Sequence, residues 1–236
     1  MFSVVANWKM NLSISEARAY LELFFAHHPP LDKIELLMAP PFTVLPYLST
    51  MIHQNRFKIA SQNVYWESKG AFTGEISPPM LRDLSCTHVI VGHSERRQYF
   101  LESNEQVANK ARAVLHAGMI PIVCVGEDML AYKEGRTEQI IKSQLALFKE
   151  FEPVWIAYEP LWSIGSGHIP SSQEIAKANH TIKAELPQCR VLYGGSVSSQ
   201  TLPELMKVKP LDGFLVGGLS LKPLEFCTFL QELAST

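Results

Sequence analysis

Short apolar runs alternate with longer segments of helical periodicity from one end of the chain to the other. Eight runs read as strands: Phe2 to Asn7, Ile34 to Ala39, Phe57 to Gln62, His88 to Gly92, Ile120 to Val125, Val154 to Tyr158, Arg190 to Tyr193 and Gly213 to Val216. They are rich in Val, Ile, Leu and Phe with little polar alternation, as parallel strands covered by helices are. Between them, Ser15 to His27 sets Ala17, Tyr20, Leu21, Phe24 and Phe25 on one helical face. Glu105 to Gly118 repeats the pattern with Val107, Ala111, Val114 and Leu115, and Gly118 is placed to end it. Ser171 and Glu174 form a capping box ahead of another apolar run. Eight strand-helix repeats with no linker or shift in composition predict one closed (β/α)₈ barrel over residues 1–236. An open doubly wound sheet is the alternative.

In a barrel of this kind the loops that follow the strands open at one face, so chemistry is sought at strand C-termini. Strand one ends in Asn7, Trp8 and Lys9, and strand four in His93, Ser94, Glu95, Arg96 and Arg97. Strand five delivers Cys124 and Glu127, and strand six delivers Glu159, fixed in extended backbone by Pro160. Strands seven and eight end in Gly194, Gly195, Ser196 and in Gly217, Gly218. Beyond Glu159, Leu161 to Gly167 combines Trp162 with Gly165 and Gly167, the composition of an apolar hinged lid. A dinucleotide fingerprint is excluded there, because Gly165 comes five positions after Pro160 rather than directly after the strand, and Pro170 stands where a third glycine is needed.

Composition removes other classes. Hydrophobic residues make up 47% of 236, enough for a large core, and 21 Lys plus Arg against 23 Asp plus Glu leave a formal charge of −2. Nothing in that balance draws the chain to nucleic acid or an anionic membrane. Cys86, Cys124, Cys189 and Cys227 form no CxxC pair and the histidines no HExxH, so neither a disulfide framework nor a metal site is expected. No apolar run approaches the roughly 20 residues a membrane helix requires, and the expectation is a soluble cytoplasmic protein with reduced thiols.

The strand-end inventory points to one kind of reaction. Two glycine pairs on consecutive strands, one followed by Ser196, bring bare backbone N–H groups to the mouth and can cradle a phosphate. Lys9 supplies the charge a phosphate dianion needs, and a Schiff-base role is the less suitable use of a lysine at the rim. His93 opens a helix, whose dipole opposes an added positive charge, so a neutral hydrogen-bond-donating imidazole is expected. With Glu159 as a carboxylate base, these parts fit proton abstraction next to a carbonyl in a small sugar phosphate. A phosphosugar lyase or aldolase, or a non-catalytic phosphate-binding barrel, would use the same parts.

The segments ANWKMN, QNVYWESKGAFTGE, VGHSERR, CVGE, YEPLWSIGSG, YGGSV and GFLVGG resemble, in order and spacing, those of the triosephosphate isomerase family, from about Val4 to Lys222. The resemblance implies interconversion of dihydroxyacetone phosphate and glyceraldehyde 3-phosphate without cofactor or metal. It makes Glu159 the base, His93 the group that polarises the carbonyl, Lys9 the holder of substrate charge and Glu95 the residue that orders Lys9. It also implies substrate contacts from Asn7, Gly165, Ser196, Leu215, Gly217 and Gly218, with Cys124 packing near the base. Gln62 to Glu75 resembles the loop by which the family forms homodimers, with Thr73 reaching the neighbour's Asn7 region. Left uncovered, Val64, Tyr65, Trp66 and Phe72 in that one loop would make a costly exposed patch, so a partner surface is expected, with folding back onto its own barrel as the alternative. Three positions depart from the family pattern: Ser163 and His168 in the lid and Leu219 after the phosphate glycines.

Overall fold

The computed structural model describes residues 1–51, 57–163 and 169–236. Eight strands, β1 (Phe2–Asn7), β2 (Ile34–Ala39), β3 (Lys58–Ser61), β4 (Cys86–Val91), β5 (Ile120–Val125), β6 (Trp155–Tyr158), β7 (Arg190–Tyr193) and β8 (Gly213–Val216), pair in sequence order and close on themselves through β1 and β8. Every pairing is parallel. The closed barrel is therefore the observed architecture, and the open sheet is set aside.

Ten α-helices occur among the described residues. They are α1 (Ile14–His27), α2 (Leu45–Ser49), α3 (Pro78–Asp83), α4 (Ser94–Tyr99), α5 (Asn104–His116), α6 (Met129–Lys133), α7 (Thr137–Leu145), α8 (Ser172–Glu185), α9 (Leu202–Leu205) and α10 (Pro223–Ser235). The repeats are less uniform than periodicity suggests. Among the described residues, the crossovers after β2 and β7 contain only the short α2 and α9, whereas those after β4 and β5 contain two helices each.

Local chemistry accounts for the element ends. Ser13, Ser103 and Ser171 each close a capping box with Glu16, Gln106 and Glu174, starting α1, α5 and α8. After α5, Gly118 at φ +72° lets its N–H reach Leu115 O while Met119 N–H reaches Val114 O, a Schellman ending that only a left-handed residue permits. Strand four starts two residues earlier than apolarity indicates. A register shift between Ile59 and Ala60 accommodates the extra residue, the exposed Thr87. It ends where Gly92 (φ +65°) turns the chain into the start of α4.

Two apolar layers result. The larger lies between strands and helices and includes Ala17, Tyr20, Leu21, Phe24, Val107, Ala111 and Val114. The smaller fills the barrel itself, with Val5, Leu37, Ala60, Ile90, Ile122, Leu192 and Leu215 contributed strand by strand. Side-chain alternation then sets Ser3, Glu35, Lys58, His88 and Arg190 in the layer at the N-terminal mouth. There Arg190 Nη1 donates to Ser3 Oγ (2.7 Å) and Glu35 Oε2 (2.6 Å), Lys58 donates to Glu35 Oε1 (2.5 Å), and the guanidinium covers the Trp155 ring.

Candidate active site

Glu159 follows β6 directly and is 2% exposed. Its peptide lies on the end of β5: Glu159 N–H donates to Val125 O (2.8 Å) and Leu161 N–H to Glu127 O (3.0 Å). A Cβ at Gly126 would fall 1.9 Å from the Glu159 carbonyl oxygen, so only glycine admits this approach. The Gln144 amide holds Gly126 from the other side, accepting its N–H (2.8 Å) and donating to its carbonyl (3.0 Å).

The carboxylate is held at two points. Oε2 accepts the Ser94 N–H at 2.9 Å, and Oε1 stands 3.1 Å from His93 Nε2. Burial alone would raise the pKa of Glu159, but His93, the Ser94 amide and Lys9 outweigh it and hold the carboxyl below its ordinary value. Cys124, 1% exposed, packs beside it. Burial first, then the Glu159 charge, pushes its thiol well above the usual range, so it is inert as a nucleophile.

His93 is the N-cap of α4, as the sequence anticipates, and its Nδ1 accepts the Glu95 N–H at 3.3 Å. With Nδ1 accepting, the neutral ring carries its proton on Nε2 and donates it to Glu159. One influence is added that the sequence does not reveal. Burial disfavours charge on the ring, yet the Glu159 carboxylate, aided by Glu95, more than offsets this and raises the imidazole pKa while Glu159 rests against it. The α4 amide and helix terminus favour the neutral ring once the carboxylate moves away.

Lys9 sits just past β1 at φ +53°, a left-handed conformation that costs a non-glycine residue strain. Three contacts hold it. Lys9 N–H donates to Asn7 Oδ1 (3.0 Å), Gln62 Nε2 donates to Lys9 O (2.9 Å), and Lys9 Nζ pairs with Glu95 Oε1 (2.7 Å). Gln62 also donates to Ala39 O (2.7 Å), tying the turn to β2.

These groups line a cleft of about 400 Å³ at the C-terminal mouth, together with Asn7, Gly194, Gly195, Ser196, Leu215, Gly217, Gly218 and Leu219. That volume suits a small molecule. The glycines admit close approach. A Cβ at Gly217 would sit 3.3 Å from Lys9 Cε, whereas one at Gly218, which opens a short 3-10 turn (Gly218–Leu221), would meet nothing within 4 Å. Ser196 Oγ donates to Ser163 O at 3.2 Å.

Most of the predicted site residues therefore converge on one cleft. Glu95 stands on Lys9 and His93 and lines the adjoining cavity with Met10, Asn11 and Gln62. Gly165 and His168 lie outside the described residues. The loop from Gln62 to Glu75 requires a correction: Val64 is 1% exposed and belongs to the protein's own core, and Tyr65 stacks on Trp66 with centroids 4.1 Å apart. Of the four residues expected to face a partner, Tyr65 and Trp66 are half-buried and Phe72 is exposed, at 41%, as is Thr73 beside it. Apolarity alone cannot tell a residue facing outward from one turned back onto the barrel. Sequence reasoning passed over Gly126, Gln62 and the Ser94 amide. Gly126, inside CVGE at a strand end, carried a readable signal of close backbone approach, while the other two act through contacts distant in sequence.

Among the described residues no group of three side chains suited to a metal ion occurs, and no helix is long and apolar enough to cross a membrane. The family model described as triosephosphate isomerase matches residues 2–233. Relatives named triosephosphate isomerase include those of Dictyoglomus thermophilum and Aquifex aeolicus, each 41% identical over 97% of this chain and 98% of their own. That of Citrifermentans bemidjiense is 40% identical over 97% of both. The chain belongs to the triosephosphate isomerase family.

Proposed function

We propose that Glu159 and His93 carry the interconversion of dihydroxyacetone phosphate and D-glyceraldehyde 3-phosphate in this isomerase, on a single barrel and without metal or cofactor. Glu159 takes a proton from the carbon next to the carbonyl. The C–H electron pair forms the enediolate double bond, and the carbonyl pair moves onto oxygen. His93 Nε2–H gives its proton to that oxygen and takes the proton of the neighbouring hydroxyl. Glu159 returns its proton to the former carbonyl carbon, and the freed O–H electron pair closes the new carbonyl, which leaves both residues as they began. The observation that carries this reading is the meeting of a buried carboxylate and an Nε2 donor at 3.1 Å in a glycine-lined cleft. The contact between them is exchanged for substrate when the carboxylate swings to carbon.

Lys9 balances the phosphate charge, Glu95 orders Lys9, and Asn7, Ser196, Leu215, Gly217, Gly218 and Gly165 complete the substrate contacts. The ion pair of Lys9 with Glu95 supports this division of labour, because an amine held as a cation is a poor Schiff-base nucleophile. Glu159→Gln is expected to lower kcat by ~10²–10⁴ in a coupled glyceraldehyde 3-phosphate assay with the fold intact. Unchanged turnover would remove Glu159 from the mechanism.

We also propose a homodimer through the loop from Gln62 to Glu75. Met10 (95% exposed), Tyr99 (69%) and Phe100 (65%) line the cavity next to Lys9 and Glu95, and the exposed Leu101 (80%) follows Phe100 in the chain. A patch of this kind calls for a cover. A second copy's Thr73 loop would supply it and close the active site from the side. Sedimentation at micromolar concentration is expected to give a dimer, and a monomer with full activity would refute the arrangement. The four free, buried cysteines suit a reducing cytoplasm, which fractionation of the native source would check.

A further inference from the structure

Trp162 lies three residues beyond Glu159 and is 5% exposed. Its indole N–H donates to Glu127 Oε1 at 2.8 Å, and Tyr158 Oη donates to the same carboxylate at 3.1 Å. These bonds hold the edge of the indole. Its face is met by Tyr132 of α6, with ring centroids 4.0 Å apart and planes inclined by 25°. The Tyr132 hydroxyl then donates to Glu174 Oε1 at 2.6 Å, while Glu174 Oε2 accepts the N–H (2.8 Å) and hydroxyl (2.7 Å) of Ser171 in the capping box of α8. One side chain thus ties the chain before residue 164 to the chain after residue 168.

We propose that Tyr132 is a positioning residue for Glu159, an inference that rests on the isomerase reading. The lever is short. Tyr132 presses the indole onto Glu127, Glu127 O holds Leu161 N–H at 3.0 Å, and Leu161 follows Pro160 and the base. A base whose anchor loosens reprotonates the enediolate more slowly. The intermediate then has longer to expel its phosphate: the C–O bond breaks, its electron pair leaves on inorganic phosphate, and the enol that remains becomes a dicarbonyl.

The test measures inorganic phosphate released per isomer formed, a ratio independent of how much enzyme is folded. Tyr132→Ala removes both the stack and the hydroxyl; it is expected to raise that ratio and lower kcat about tenfold with KM within twofold of the parent. Tyr132→Phe keeps the ring face and is expected to restore kcat to within about threefold. If Tyr132→Ala does not fold, the ratio in Tyr132→Leu decides. Parental turnover with an unchanged ratio in the variant overturns the inference alone. Absence of isomerisation by the unsubstituted protein overturns the isomerase reading and the inference with it.

Discussion

Gly194→Ala separates the geometry of the base from the stability of the barrel. An added Cβ would lie 2.8 Å from Glu159 Cγ and 3.4 Å from Oε1, with Tyr158 O at an ordinary 3.5 Å. Carbon atoms rest at about 3.5–4.0 Å, so the glutamate side chain must retreat by roughly 0.7–1.2 Å. Gly194 is not in the left-handed region, so alanine adds no backbone strain, and its N–H can keep its bond to Tyr158 O. The side chain yields more readily than the strand. Displacement near 1 Å costs on the order of 10² in rate, so kcat should fall by about that factor. KM should change little, and the melting temperature by a few degrees at most. The assay is steady-state turnover in both directions beside a thermal melt. Turnover within threefold of the parent would refute the reasoning, and so would a loss of activity matched by a collapse in melting temperature.

At Gly126 the obstacle is backbone: Gly126→Ala places Cβ 1.9 Å from the Glu159 carbonyl oxygen, so the β5–β6 pairing must shift. A loss of roughly 1–3 kcal/mol or more is expected, read as a fall of several degrees in melting temperature. A normal melt would refute it. His88 is 1% exposed, and burial first, then Lys58 and Arg190, bring its pKa down to about 4 against the opposing pull of Glu35. The folded state therefore prefers the neutral ring. Its contribution is present in full above the unfolded value of about 6.5 and is lost as pH falls toward 4, on the order of 3 kcal/mol. The melting-temperature gap between the parent and His88→Gln should change across that window, and a constant gap would show that His88 does not titrate differently on folding.

Much of this molecule was readable in the chain because its elements are locally encoded. The eight strands are apolar runs of the right length, and the serine caps and Gly118 mark helix ends by residue type. Glu159, His93 and Lys9 follow from a topological rule, since parallel strands put their C-termini at one mouth. What escaped depends on contacts between distant segments. Gln62 reaches 53 residues back to the Lys9 carbonyl, and Ser94 N–H reaches 65 residues forward to Glu159. Val64 shows the converse failure, because its apolarity is equally consistent with a partner surface and with the core it occupies.

The two mouths of the barrel use charge in opposite ways, and that contrast supports placing the proposed chemistry at the C-terminal one. At the N-terminal mouth, Glu35 meets two cations and the Ser3 hydroxyl. Burial, which would raise its pKa, is overcome by Lys58, Ser3 and Arg190, leaving a carboxylate committed to structure. At the C-terminal mouth, Glu159 is held by one imidazole and one amide, with Lys9 acting on it less strongly and Gly194 against its side chain. A base must exchange its resting contacts for substrate, and one imidazole and one backbone amide release a carboxylate at lower cost than two bonded cations do. Lys9 makes its ion pair with Glu95, which leaves Glu159 the freer of the two carboxylates. Moving a lysine into hydrogen-bonding reach of Glu159 would therefore tighten its anchorage and slow the proton transfer proposed for it.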